Sequence, residues 1–189
     1  MASAVARTDP LLVAAAVAGD QAAWAEIVKG TYPDIYRLCY RLVRNQADAE
    51  DLTQETFVQA TVALARFRGD AAIETWLYSI ATNTVKSHWR KKRPMLLEHL
   101  PEQVSSDDPE SAAILRDETA SVLGAVDRLP EDFRMIVLLR DVEGLTNAEA
   151  AATLGVTPLV AKVRLFRARE MLASGLRPDQ EVTRRGRKS

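Results

Sequence analysis

Three carboxylates, Asp48, Asp51 and Glu55, recur at helical-neighbour spacing in the stretch Asp48–Ala49–Glu50–Asp51–Leu52–Thr53–Gln54–Glu55–Thr56–Phe57. On a helix turning ~100° per residue they fall within roughly 60° of one another, while Ala49, Phe57, Ala60 and Leu64 gather on the opposite side. Like charges so placed repel by roughly a few tenths of a kcal/mol per pair. Two readings therefore stand side by side. The face is presented to a basic partner, or it is a solvated face whose acids are favoured near a helix N-terminus. Catalysis by these carboxylates would need a concave pocket and raised pKa values, and an exposed helix face offers neither.

A second group of residues suits unpaired nucleic acid. From Phe67 the chain carries Trp76, Tyr78, Asn83 and Lys86, then the run His88–Trp89–Arg90–Lys91–Lys92–Arg93. Aromatic platforms beside cations let bases stack while phosphates are neutralised. Stacking on an aromatic side chain is worth ~1–3 kcal/mol per base, comparable with the cost of extruding a base, roughly a few kcal/mol. Trp76, beside Leu77 and Ile80, reads better as core. Trp89, inside the basic run, reads better as a DNA contact.

The third group suits duplex DNA. Thr146–Asn147–Ala148–Glu149 has the capping-box pattern, and Ala148, Ala151, Ala152 and Leu154 make a helix of mostly small residues. Gly155 permits a tight turn, Val156 can pack inward, and Thr157–Pro158 offer a cap and a first-turn proline. Two short helices joined by so short a turn can lay the second in a major groove. On that second helix Ala161, Leu165, Ala168 and Leu172 form a core stripe. Arg164 and Arg167 flank it on one side, Lys162 and Arg169 on the other, placed to grip phosphates. Its start, Pro158–Leu159–Val160–Ala161, has no group for bidentate base readout, so thymine methyls, Lys162 and Arg164 carry what base contact there is.

Helical periodicity dominates the elements that must position these groups. Helices are expected over 11–18, from a cap at Asp20 to Lys29, and from Pro33 to Val43 after a break at Gly30–Pro33. Asn45 ends the third, and a fourth starts at Asp48 or its neighbour and runs to Arg66. A loop at Phe67–Asp70 precedes a long helix from Ala72 to Arg93, stopped by Pro94. Further helices are expected at 110–127, 131–141, 147–154 and 158–173. The predicted fold is all-α, with two small helical domains joined by a flexible linker and a helix-turn-helix in the second. The expected boundaries are 1–93, linker 94–109, 110–176, and a disordered basic tail 177–189.

Composition agrees with this picture. The chain has 189 residues, 47% hydrophobic and 27% charged, enough to build a packed core. Its net charge of −1 hides separated patches: basic at 88–93, mostly acidic at 98–118, basic again from Arg177. Cys39 is alone and lies in an apolar stretch, so it reads as a structural thiol. His88 and His99 show no ligand spacing with it, so no metal and no cofactor is expected. No apolar run approaches membrane-spanning length, and a cytoplasmic protein with no membrane insertion is expected.

In this order the segments resemble the extracytoplasmic-function (ECF) sigma factors of the sigma-70 family. Asp48–Phe57 resembles the family's polymerase-binding helix. Phe67–Asn83 resembles its promoter-melting segment and the start of the helix that meets the −10 element. Asp127–Pro130, Gly144–Ala151 and Val163–Glu170 resemble its −35-binding domain. The resemblance spans about residues 10–175. It implies a non-enzymatic initiation factor whose partners are core RNA polymerase, promoter DNA and an anti-sigma factor. It implies that Asp48, Asp51, Leu52, Gln54 and Glu55 serve polymerase binding. Arg68, Gly69, Asp70 and Ala71, with Asn83, would hold an unpaired −10 base. Lys86, Trp89 and Arg90 would track the neighbouring DNA, and Thr157, Pro158, Lys162, Arg164, Arg167 and Arg169 would engage the −35 element. Reach is sufficient, since a linker of roughly 16 residues extends to ~50–58 Å and elements ~17 base pairs apart lie ~58 Å apart.

Overall fold

The computed structural model describes residues 8–98, with residues 93–98 as backbone alone, and residues 124–174. Every regular element among them is helical. The expected linker beyond residue 98, the helix over 110–123 and the basic tail lie outside the described residues.

Helix α1 (Pro10–Val17) starts at Asp9, whose carboxylate accepts from the Leu11 amide at 2.9 Å. Asp20 caps α2 in the same way, accepting from the amides of Ala22 and Ala23. The expected break at Gly30–Pro33 is absent: α2 runs unbroken over Gln21–Val43. A proline inside a helix forfeits a hydrogen bond and crowds the preceding turn, but here tertiary packing overrides that preference. Ile27, Thr31, Ile35, Leu38, Cys39 and Leu42 form one buried stripe on both sides of Pro33, and breaking the helix would split that stripe.

Arg44, at φ 56°, ends α2 in the left-handed conformation. Asn45 does not end α2 as expected; it caps α3 (Gln46–Ala63) by accepting from the Asp48 amide. Thr53 and Thr56 are fully buried in α3, and each hydroxyl donates to the carbonyl four residues earlier. A single 3-10 turn (Leu64–Arg66) and the loop 67–72 lead to α4 (Ile73–Glu98). Helix α4 does not stop at Pro94. Proline's fixed φ is helical, and the partnerless carbonyl belongs to Arg90, an exposed residue, where hydration can replace the bond.

The second unit begins with a helical turn over 124–127. Helix α5 (Glu131–Val137) passes into a π turn (Leu138–Val142), so the expected helix over 131–141 is present with its last turn widened. Helices α6 (Asn147–Leu154) and α7 (Pro158–Ser174) follow.

In the first unit α2, α3 and α4 close around Leu38, Cys39, Leu52, Leu77 and Val85. Ala49, Ala60 and Ala81 are fully enclosed and let the backbones approach. Burial pushes the Cys39 thiol up to about 11.

The two units are not apart. Helix α4 packs on α6, and one apolar cluster runs through both units. The Tyr78 hydroxyl donates to Glu143 Oε2 at 3.0 Å, and Arg41 Nη1 meets Glu143 Oε1 at 3.2 Å. Burial raises the Glu143 carboxyl above the usual carboxylate range and lowers the Arg41 guanidinium. Arg134 donates to the Leu42 carbonyl at 3.0 Å, and Arg44 pairs with Asp127 at 2.6 Å.

Tyr78→Phe keeps the ring and removes one of the two partners of a buried carboxylate. It should destabilise the packed form by ~1–3 kcal/mol, read as a lower Tm and faster proteolysis between the units. An unchanged melting curve and cleavage pattern would show that Glu143 does not hold them together.

Candidate functional site

Three surfaces carry the predicted groups. The first is the outer face of α3. Asp51, Gln54 and Glu55 are exposed there, and Glu55 accepts from Gln59 at 2.9 Å. Asp48 differs from them. Lys92 of α4 reaches its Oδ2 at 2.7 Å, with His88 at 3.6 Å. One of the three predicted carboxylates is therefore already neutralised within the chain, by the basic run assigned to DNA. Leu52 is only 3% exposed and belongs to the core. It cannot touch a partner as the outer face stands, and its contribution is to hold α3 in place.

The second surface is the loop 67–72 with the outer side of α4. Arg68, Gly69, Asp70 and Ala71 are exposed, and Gly69 sits at φ 76°, a conformation that favours glycine. The loop forms one wall of a cavity of about 890 Å³ whose other walls are α1 and, from the second unit, Glu149. Phe67 and Trp76 meet with ring centroids 5.2 Å apart. Trp76 packs against the core, as its sequence context implied.

Further along α4, Asn83 and Arg90 are exposed. Trp89 is half-buried and packs against the core, so it offers an edge rather than a free platform. Lys86 is occupied: its Nζ donates to the Leu154 carbonyl at 3.1 Å, at the C-terminal end of α6. Thr82 donates to the neighbouring Thr153 carbonyl. Burial lowers the Lys86 ammonium from its ordinary value. A cation expected on DNA thus satisfies a helix end in the other unit.

The third surface is the helix-turn-helix. Its capping box is complete: Thr146 accepts from the Glu149 amide, and the Glu149 side chain accepts from the Thr146 amide. Gly155 takes the left-handed conformation at φ 68°. Asn147 donates to the Pro158 carbonyl at 2.9 Å, tying α6 to the start of α7, and Thr157 accepts from the Val160 amide. Ala161, Leu165 and Ala168 are buried as predicted.

The cations of α7 divide into two classes. Arg164 is half-buried and pairs with Asp132 at 2.9 Å, and Arg169 pairs with Asp141. Lys162 and Arg167 are exposed and carry no ion pair among the described residues. Thr157 and Pro158 are exposed at the helix start. Beside them Leu159 is 70% exposed and Phe166 62%, with Val160 and Val163 also open. An apolar row this exposed on an amphipathic helix marks a contact surface.

No local pattern of residues announces the Glu143–Tyr78–Arg41 contact or the Thr8–Glu74 contact, where the Thr8 amide and hydroxyl both donate to Glu74 Oε1 at 2.6 Å. Each joins residues far apart in the chain, and each acid reads locally as an ordinary helix-end carboxylate.

The chain is similar to known proteins over most of its length. The family model described as Sigma-70 region 2 matches residues 27–94, and the one described as Sigma-70, region 4 matches residues 119–172. The chain is 40% identical over 162 residues to the ECF RNA polymerase sigma factor SigE of Mycolicibacterium smegmatis, covering 82% of this chain and 63% of that protein, just under two thirds of its length. It is 36% identical to the RNA polymerase sigma-H factor of Pseudomonas aeruginosa, over 90% of this chain and 94% of that one. The structure of the sigma factor RpoE in complex with the anti-sigma factor NepR from Bartonella quintana has a similar fold, with TM-score 0.68 and 24% identity over 82% of this chain and 98% of that one.

If Lys162 and Arg167 contact phosphates, replacing either by Ala should weaken duplex binding at all sequences alike and lower the salt slope of log K by about one. Arg169→Ala should change the slope less, because Asp141 already holds that guanidinium. Titration by fluorescence anisotropy at several salt concentrations checks this, and equal slopes for all three variants would refute the division.

Proposed function

Because the chain belongs to the ECF sigma factors of the sigma-70 family, transcription initiation factors and not enzymes, we propose a division of labour among its three surfaces. Asp51, Gln54 and Glu55 dock on a basic element of core RNA polymerase. The loop 68–71 with Asn83, and Arg90 about two turns further along α4, receives the unpaired −10 strand. Helix α7 enters the major groove at the −35 element through Lys162 and Arg167, with Leu159 and Val160 against thymine methyls. Domain boundaries at 1–93 and 110–176 follow from this assignment. The protein acts in the cytoplasm, in keeping with the lack of any helix long and apolar enough to cross a membrane among the described residues.

The observation that carries this reading is the placement of exposed groups: carboxylates on α3, a cavity behind loop 67–72 and free cations on α7 occupy different helices. A helix-turn-helix regulator acting without polymerase would have no use for the first two.

The packed arrangement adds a step. With α4 seated on α6, Lys86 is engaged and the two DNA-binding units cannot reach elements ~58 Å apart. The units therefore separate when the protein joins polymerase, and Lys86 is released to DNA. An anti-sigma factor restrains the protein by covering the open row Leu159, Val160, Val163 and Phe166.

Transcription in vitro with core polymerase on a promoter library tests the assignment. The protein should direct initiation at a defined subset of promoters, and failure to redirect polymerase to any start site refutes it. Asp51→Lys combined with Glu55→Lys should weaken core binding by about tenfold or more, since like charges across an interface repel strongly. Asp48→Asn should matter far less, because Lys92 already neutralises that carboxylate.

A further inference from the structure

Helix α7 turns a second row of side chains outward, away from the buried Ala161, Leu165 and Ala168. At ~100° per residue, Leu159, Val163, Phe166 and Glu170 fall within roughly 60° of one another, and all four are exposed. Three of them are apolar, and an open row of this kind marks a contact surface. Duplex DNA does not account for the whole row. Glu170 stands in it one turn from Phe166, where it would meet phosphates of its own sign. It forms no ion pair among the described residues, and neither do the cations Lys162 and Arg167 of the same helix.

Beside the row lies a recess. Helices α5 and α7 enclose an open groove of about 480 Å³, lined by Phe133, Leu159, Val160 and Val163, by the paired Asp132 and Arg164, and by Arg167. Phe166 is not among its walls. One patch therefore carries a projecting aromatic ring next to an acid, and a recess edged by an unpaired cation. A two-fold interface sets one patch against itself, so it needs a projection and a hole in the same patch, and charges of both signs. This patch meets both requirements.

We propose that the outer face of α7 pairs with a second copy of the chain. Phe166 of each copy enters the other's groove against Phe133, Val160 and Val163, and Glu170 of each copy meets Arg167 of the other. Aromatic rings gain by meeting at an offset or edge, and the crossed charges fix the register. The contact is one helix face and one groove, so the pair is weak, with Kd on the order of micromolar. It covers Lys162 and Arg167, so the paired form is withheld from duplex DNA. That masking rests on the reading of α7 as the −35 helix; the pairing itself does not.

Sedimentation of the full chain over a range of concentrations tests the pairing. The weight-average mass should rise from one chain toward two. Phe166→Asp should weaken the pair by at least about tenfold, as loss of a central aromatic does, with the melting temperature showing that it still folds. Val62→Asp, at an apolar residue of α3 that is 80% exposed, should leave the pair intact. Arg167→Glu and Glu170→Lys should each weaken it several-fold, and the double variant should restore it, because the charges are then exchanged on both copies. Short duplex DNA at low salt should convert pairs into DNA-bound single chains. A mass of one chain at every concentration overturns the proposal and leaves the sigma-factor reading intact. So does a pair that Val62→Asp dissolves as readily as Phe166→Asp. A pair that binds duplex without dissociating overturns the masking, and with it the assignment of α7 to the major groove.

Discussion

Tyr78 and Arg41 come from different helices of the first unit and reach one buried carboxylate, Glu143, in the second. A carboxylate taken out of water is costly unless it is paired and fully hydrogen-bonded. This one has a partner on each oxygen, and both partners lie across the junction. Glu143 is therefore satisfied only when the units are together. The neighbouring contacts share that logic: Lys86 serves the end of α6, and Arg134 serves the Leu42 carbonyl beside the end of α2. Polar groups buried at the junction make the packed form specific in geometry, while the packing of α4 on α6 supplies contact area.

Charge is handled economically across the molecule. Several side chains that look free in the sequence are spent inside the fold: Asp48 on Lys92, Arg164 on Asp132, Arg169 on Asp141. Among the exposed groups that remain, Asp51 and Glu55 stand on α3, and Lys162 and Arg167 stand on α7 with one acid, Glu170. Internal pairing thus narrows which groups a polyanion or a basic protein can feel, and a net charge of −1 is no guide to either surface.

The helix-turn-helix was the most legible part of the sequence. Its capping box, its left-handed glycine and its first-turn proline are local signals, and each occupies the residue its chemistry required. The loop at Phe67–Asp70 and the inward stripe of α3 were legible for the same reason. Where local signals competed with packing, packing won. Gly30 and Pro33 argued for a break, yet the buried stripe of α2 holds the helix through them. Pro94 argued for a stop, yet α4 continues to Glu98. Leu52, grouped by its neighbours with an outer surface, faces the core. The meetings of Glu143 with Tyr78 and of Glu74 with Thr8 had no signature, because a pairing between distant positions leaves no period or spacing to read.

The seclusion of Cys39 has a practical corollary. It is the chain's one cysteine, fully enclosed, with its thiol raised to about 11. At neutral pH the reactive thiolate is then a minor species, and the thiol is enclosed besides. Maleimide dyes and spin labels will therefore pass over the native protein. A pair of cysteines introduced on the outer faces of α3 and α7 can be labelled against a silent background. Energy transfer or dipolar spectroscopy between them can then follow the distance between the two units in real time, with the native core left untouched.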